Sequence, residues 1–108
     1  MDKGEIWIVN LSSKDGKEQS GARPCLILAD TKANLVTVIP LTSNLEALRF
    51  PYTVEIKSSD KNGLENDSIA LLFQLQAIDK RRMIKKIGSL EKYYVEEINK
   101  RLRSMLQL

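Results

Sequence analysis

Short apolar segments rich in β-branched residues, broken by turn signals, run along the chain as far as Ile87, and one stripe of helical spacing closes it. Strands are expected at residues 5–9, 25–29, 35–39, 52–56, 68–76 and 83–87. Several short strands spaced by turns argue for a small barrel or sandwich. The run Cys25-Leu26-Ile27-Leu28-Ala29 is continuously apolar, as a buried strand requires. Tyr52-Thr53-Val54-Glu55-Ile56 alternates, with Pro51 at its entrance, where a proline is tolerated. Lys32-Ala33-Asn34 fits a hairpin turn, Lys61-Asn62-Gly63 a second turn, and a short helical turn is expected after Asp79.

The last segment has another period. Leu90, Tyr94, Ile98, Leu102 and Met105 recur at steps of four, four, four and three, which is one face of an amphipathic helix. Ser89 suits the N-cap, and Glu91 suits the first turn. Glu96 with Lys100, and Glu97 with Arg101, are i,i+4 pairs in the favourable order. The stripe is expected to pack on the barrel as core.

Composition then excludes several kinds of chemistry. The chain has 108 residues, 43% of them hydrophobic and 29% charged, the balance of one globular domain spanning 1–108. There is no histidine and one cysteine, so histidine- or thiolate-based metal sites and the two-histidine route to RNA cleavage are ruled out. No cofactor is implied. The charged N-terminus and the lack of a long apolar run suggest neither a signal peptide nor a membrane span, and a lone Cys25 suits a reducing cytoplasm.

The net charge of +3 lies in the second half, where residues 55–108 carry eleven basic and eight acidic groups. Five of the seven residues in Lys80-Arg81-Arg82-Met83-Ile84-Lys85-Lys86 are cationic. Such a run either attracts phosphates or is a solvated face.

Two segments carry candidate chemistry. Residues 11–22 form a long polar connection between expected strands, a length that is often functional in a small domain. It ends in Gly21-Ala22-Arg23-Pro24. Glycine admits unusual backbone angles and proline fixes φ, so Arg23 is held at the strand entrance. Its planar fork suits a phosphate; equally, it can be a structural arginine bridged to Glu18. Pro40-Leu41-Thr42-Ser43-Asn44 places small polar side chains at a strand end. There they either bond phosphate oxygens and base edges or cap a turn. Trp7 and Cys25 read as packing residues, and Asp67 as a turn residue or a restraint on Arg23.

These residues together resemble the MazF/PemK family of toxins. Gly4-Glu5-Ile6-Trp7 is similar to the family's opening motif. Gly16-Lys17-Glu18-Gln19-Ser20-Gly21-Ala22-Arg23-Pro24 resembles its Gly-x-Glu-Gln-x-Gly-x-Arg-Pro loop. Pro40-Leu41-Thr42-Ser43 matches the strand end, and Gly63-Leu64-Glu65-Asn66-Asp67-Ser68 matches Gly-Leu-x-x-Asp-Ser. Gln74 and Ile78-Asp79-Lys80 follow in the family's order, so the likeness runs from about Gly4 to Leu106.

The resemblance implies an SH3-like small barrel of the CcdB/PemK type, mainly β, with a C-terminal helix, usually as a homodimer. It implies an endoribonuclease that cuts single-stranded RNA at short sequences without a metal, leaving 2′,3′-cyclic phosphate and 5′-hydroxyl ends. It implies a cognate antitoxin whose acidic tail covers the RNA groove. By residue, it makes Arg23 and Thr42 catalytic and Glu18 the candidate base. Gln19, Gly21, Ser43, Asn44 and Gln74 become groove contacts. Phe73 stands where many members carry an acid, and Gln76 where an arginine is frequent. Phe73 either stacks a base or packs in the core. The rival readings are a gyrase poison of the CcdB type, which should lack the Arg-Pro loop, and a member that binds RNA without cutting it.

Overall fold

The computed structural model describes residues 1–11 and 21–108. Among the described residues seven strands and one α-helix follow the expected order: β1 (Glu5–Asn10), β2 (Ala22–Asp30), β3 (Leu35–Thr42), β4 (Thr53–Ile56), β5 (Ser68–Leu71), β6 (Gln76–Asp79), β7 (Met83–Ser89) and α1 (Lys92–Leu106). All pairings are antiparallel, in the order β4-β5-β3-β2-β1-β7, with β6 joining β3 beside β5. The curled sheet closed by α1 is the expected barrel with a C-terminal helix. Among the described residues no helix is long and apolar enough to cross a membrane.

β3 belongs to both halves of the sheet. Its first residues, Leu35 to Val38, pair with β6, whereas Leu41 and Thr42 pair with β5. That division corrects the expected single strand over 68–76. The chain stops pairing at Leu71, makes a 3₁₀ turn over Leu72–Gln74, and resumes as β6 at Gln76. The turn is held by Leu72 N donating to Tyr52 O (3.1 Å) and Leu75 N to Leu72 O (3.1 Å). A neighbour that follows β3 from one half of the sheet to the other must break where β3 changes partners.

Alternation along the strands sorts side chains onto two faces. Ile6, Leu26, Ile39 and Leu41 join Val54, Ile56, Leu72 and Ile98 in the main core beneath α1. Val9, Cys25, Ile27, Val36, Val38 and Ile78 form a second cluster on the opposite face. The helical stripe packs as expected: Ile98 is fully buried, and Tyr94, Leu102 and Met105 lie against the main core. The pair of Glu97 with Arg101 is closed at 2.7 Å.

The helix start differs from expectation. Ser89 is the last residue of β7, paired with Glu5, and its N–H donates to Lys61 O (3.0 Å). Glu91 takes the N-cap position but makes no side-chain cap. Its carboxylate instead accepts from Ser59 Oγ (2.6 Å) and Asn62 Nδ2 (3.1 Å). Asn62, fully buried, also donates to Lys57 O (2.9 Å) and accepts from the N–H groups of Ser59 (3.0 Å) and Leu64 (3.1 Å). This knot presses the 57–64 turn onto β7. Gly63, at φ 72°, and Gly88 have no room for a Cβ, because one would strike Ile87 O and the other the backbone of Asn62.

Candidate active site

Arg23 and Thr42 come from different strands and reach one end of the same ladder. The β2–β3 register ends at Cys25↔Pro40. Arg23 lies two residues before Cys25, and Thr42 two residues after Pro40. In an antiparallel pair both therefore stand beyond the same end. Their parity matches too. Arg23 shares the face of Cys25 and Ile27, and Thr42 that of Val36 and Val38, which is the face of the second cluster.

The electrostatics agree with this placement. Burial pushes the Cys25 thiol up to about 12, while the charge of Arg23 pulls against that rise. The thiol lies 3.9 Å from the Arg23 carbonyl oxygen. Cys25 is fully buried, as its apolar run suggested. Arg23 is half-buried and paired through β1 at Val9↔Arg23, so its backbone is fixed on the β1 side.

Thr42 Oγ1 accepts from Asn44 N (3.2 Å), and Asn44 Oδ1 accepts from Glu46 N (3.1 Å). Asn44 is thus the cap of a 3₁₀ turn over Leu45–Arg49, the local alternative weighed for this segment. Thr42 keeps its own hydroxyl proton for donation. Gln74 is exposed at the end of the turn between β5 and β6. Its carbonyl accepts from Gln76 Nε2 (3.1 Å), which leaves its side-chain amide clear.

Other expected residues are placed differently. Glu18 and Gln19 lie outside the described residues. Gly21 is exposed, and among the described residues no atom lies within 4 Å of a Cβ added there. Ser43 faces away from Thr42, into a recess of about 500 Å³ on the other side of β2, with Ala22, Pro24, Asn66 and Lys85. That recess includes neither Arg23 nor Thr42. Asp67 restrains the 57–67 segment rather than Arg23: its carboxylate accepts from Ser58 N (2.9 Å) and lies 3.5 Å from Lys57 Nζ. Those partners hold its carboxyl below its ordinary value.

Phe73 is 44% exposed, so the core alternative fails. Its ring packs edge-on against Phe50, with centroids 5.8 Å apart. Phe50, Leu45 and Leu48, exposed beside it, carried no assignment in the sequence; apolar residues at a spacing of three just after a cap were the available signal.

The basic run is largely neutralised. Lys80 pairs with Asp30 (2.7 Å), Arg81 with Asp79 (3.0 Å) and Lys86 with Glu5 (3.5 Å). Among the described residues Arg82 and Lys85 close no ion pair. Trp7 packs on the second cluster and donates Nε1 to Glu5 Oε1 (2.9 Å), the main cause of that carboxyl's lowered pKa.

Barrel, helix and paired strand ends define a class that comparison with known proteins makes definite. The profile of the PemK-like, MazF-like toxins of type II toxin–antitoxin systems matches residues 2–106, and the chain belongs to that family. A curated relative is the Endoribonuclease MazF of Staphylococcus saprophyticus, 33% identical over 103 residues, covering 92% of this chain and 85% of that one. Another is the Endoribonuclease EndoA of Bacillus subtilis, 31% identical over 112 aligned positions, covering 100% of this chain and 96% of that one. Among solved structures, MazE-MazF from Deinococcus radiodurans shares the fold at TM-score 0.80 and 23% identity, covering 100% of this chain and 96% of that one. The Mycobacterium tuberculosis toxin MazF-mt6 shares it at TM-score 0.76 and 22% identity, covering 96% and 97%.

Proposed function

We infer that this chain is a toxin endoribonuclease that cleaves single-stranded RNA and is neutralised by a cognate antitoxin. The observation that carries the chemistry is the position of Arg23 and Thr42, on one face and beyond one end of the β2–β3 ladder. Relatives of similar length that bear the name endoribonuclease support the activity, and a solved complex of MazE with MazF supports the antitoxin. The family match leaves no reason to favour a gyrase poison. Residues 1–108 are taken as one toxin unit acting in the cytoplasm.

In this reading the ribose 2′-oxygen attacks the adjacent phosphorus as the bond to the 5′-oxygen breaks. The products are a 2′,3′-cyclic phosphate and a 5′-hydroxyl. The 2′-OH proton passes to a base, for which Glu18 is the candidate, and a proton reaches the leaving oxygen. Arg23 faces the charge that builds on the phosphorane and is suited to deliver that proton. Thr42 donates its free hydroxyl proton to a non-bridging oxygen. Asn44 and Gln74 are proposed to touch the strand near Thr42, and Gln19 and Gly21 to touch it from the connection before β2; Ser43 would meet it only from the recess on the other side of β2. Arg82 and Lys85, which close no ion pair among the described residues, draw the phosphates toward that side. Alignment of nucleophile, phosphorus and leaving group supplies much of the rate, and no step is assigned to a metal.

The test is Arg23→Ala against wild type on a mixed-sequence single-stranded RNA, with the matching DNA and added EDTA as arms. Wild type is expected to cut RNA and not DNA, with EDTA changing little. The variant is expected to lose cleavage while keeping its circular dichroism spectrum. Equal cleavage by the variant, or none by wild type, removes the assignment.

A further inference from the structure

No step of the chemistry above uses the recess of about 500 Å³ behind β2. Its floor is one row of side chains across four strands: Ile8 of β1 pairs with Lys85 of β7 and with Pro24 of β2, and Leu41 of β3 continues the row. Its rim is polar, with Ser43 at the end of β3 and Glu65 and Asn66 on the turn before β5. Among the described residues the side chains of Ser43, Glu65, Asn66 and Lys85 close no hydrogen bond or ion pair. An apolar floor with a few convergent polar groups is the usual form of a small-ligand site, for which about 300–1,000 Å³ is ordinary.

The place of the recess indicates its ligand. Arg23 alternates with Ala22 and Pro24, and Thr42 with Leu41 and Ser43, so the ends of β2 and β3 form a wall. Arg23 and Thr42 face one side of it, and their four neighbours line the recess on the other. A strand of RNA held at the reacting phosphate has only to turn over the end of that wall to set the neighbouring base in the recess. Lys85 stands two strands from β2, about 10 Å, within reach of the phosphate that follows. A lone anion would leave the apolar floor unused, and an acidic peptide would meet Glu65 as a like charge. We propose that the recess holds the base adjoining the cut phosphate, with Glu65 and Asn66 reading its edge and Lys85 bonding the next phosphate. This rests on the RNA-cleaving reading above. A carboxylate only accepts hydrogen bonds, so Glu65 favours a base with an exocyclic amino group, and uracil, which has none, is selected against there.

The test is cleavage of a randomised single-stranded RNA by wild type, Glu65→Gln, Asn66→Ala and Lys85→Gln, with the cut ends sequenced. Wild type is expected to disfavour uracil at one position beside the cut by about 10-fold, the scale of one base edge read by hydrogen bonds. Glu65→Gln is expected to remove that bias and Asn66→Ala to weaken it, at that position alone. Lys85→Gln should keep the bias but lower cleavage of every sequence and flatten its salt dependence. A substrate that lacks this base reads the same contact without relying on any variant's fold. Wild type should cut it more slowly than the intact RNA, and Asn66→Ala should cut it no worse than wild type does. Wild type that cuts no RNA ends the proposal together with the reading beneath it. Wild type that cuts while Glu65→Gln and Asn66→Ala keep its bias ends the proposal alone. So do variants that keep the bias yet lose hold of the antitoxin's acidic tail peptide, which would give the recess to that partner.

Discussion

One proton decides what Thr42 contributes. Its oxygen accepts from Asn44 N, and among the described residues its hydrogen has no acceptor, so that hydrogen is what it offers to a phosphate oxygen. Thr42→Ser keeps that donor and should retain most activity. Thr42→Val keeps the shape, loses the donor, and should lower the cleavage rate about 10²–10³-fold. Initial rates on one labelled RNA, with melting temperatures of all three proteins, measure this; equal rates for Val and Thr would remove the hydroxyl from the mechanism. At this scale Cys25 was legible in the sequence, because a continuous apolar run has only a buried place to go. Phe73 was not. It follows Leu71 and Leu72, both buried, and one broken strand turns it outward. Ser43, expected beside Thr42, faces the other way for a related reason: neighbouring residues of an extended segment point to opposite sides, so one motif feeds two surfaces.

Among the elements, those set by local pattern were read well and those set by partners less so. The stripe of α1 follows its own period, and Ile98 lies at its buried centre as that period requires. The start of α1 depended on β1 and on the 57–64 turn, which draw Ser89 into the ladder and Glu91 toward Asn62. Nothing near Ser89 in the sequence signals that competition. The knot around Asn62 makes a strong claim on stability. Asn62→Ala strands the N–H groups of Ser59 and Leu64 and the carbonyl of Lys57 in a buried place. It should destabilise the fold by at least about 2 kcal/mol, given that each buried group left unpaired costs about 1–3 kcal/mol. The midpoint of urea unfolding measures it, and a change of only a few tenths would show that water replaces the side chain.

Over the whole molecule, the sequence showed where charge accumulates but not how it is cancelled. Lys80 and Lys86 meet acids distant in the chain, Asp30 and Glu5, which only the folded sheet brings near. The cancellation has a sign in pH. Asp30 is held below its ordinary value mainly by Lys80, Asp79 mainly by Arg81, and Glu5 mainly by the Trp7 N–H. At Glu91 burial raises the carboxyl, but the bonds from Ser59 and Asn62 outweigh it and the net shift is down. A carboxyl lowered by folding adds stability that is complete above its unfolded pKa and is lost as pH falls through the folded one. The urea midpoint should therefore hold from neutral pH down to the ordinary carboxylate range and fall below it. A midpoint that rises on acidification would contradict this network.

β3 has neighbours along both its edges, and Thr42, two residues past the end of its ladder with β2, is held by its pairing with Ile69 of β5. Arg23 stands just past the long connection that enters β2. The hydroxyl half of the site therefore behaves as an anvil: the pairing that folds the sheet also holds the hydroxyl still against a moving strand of RNA.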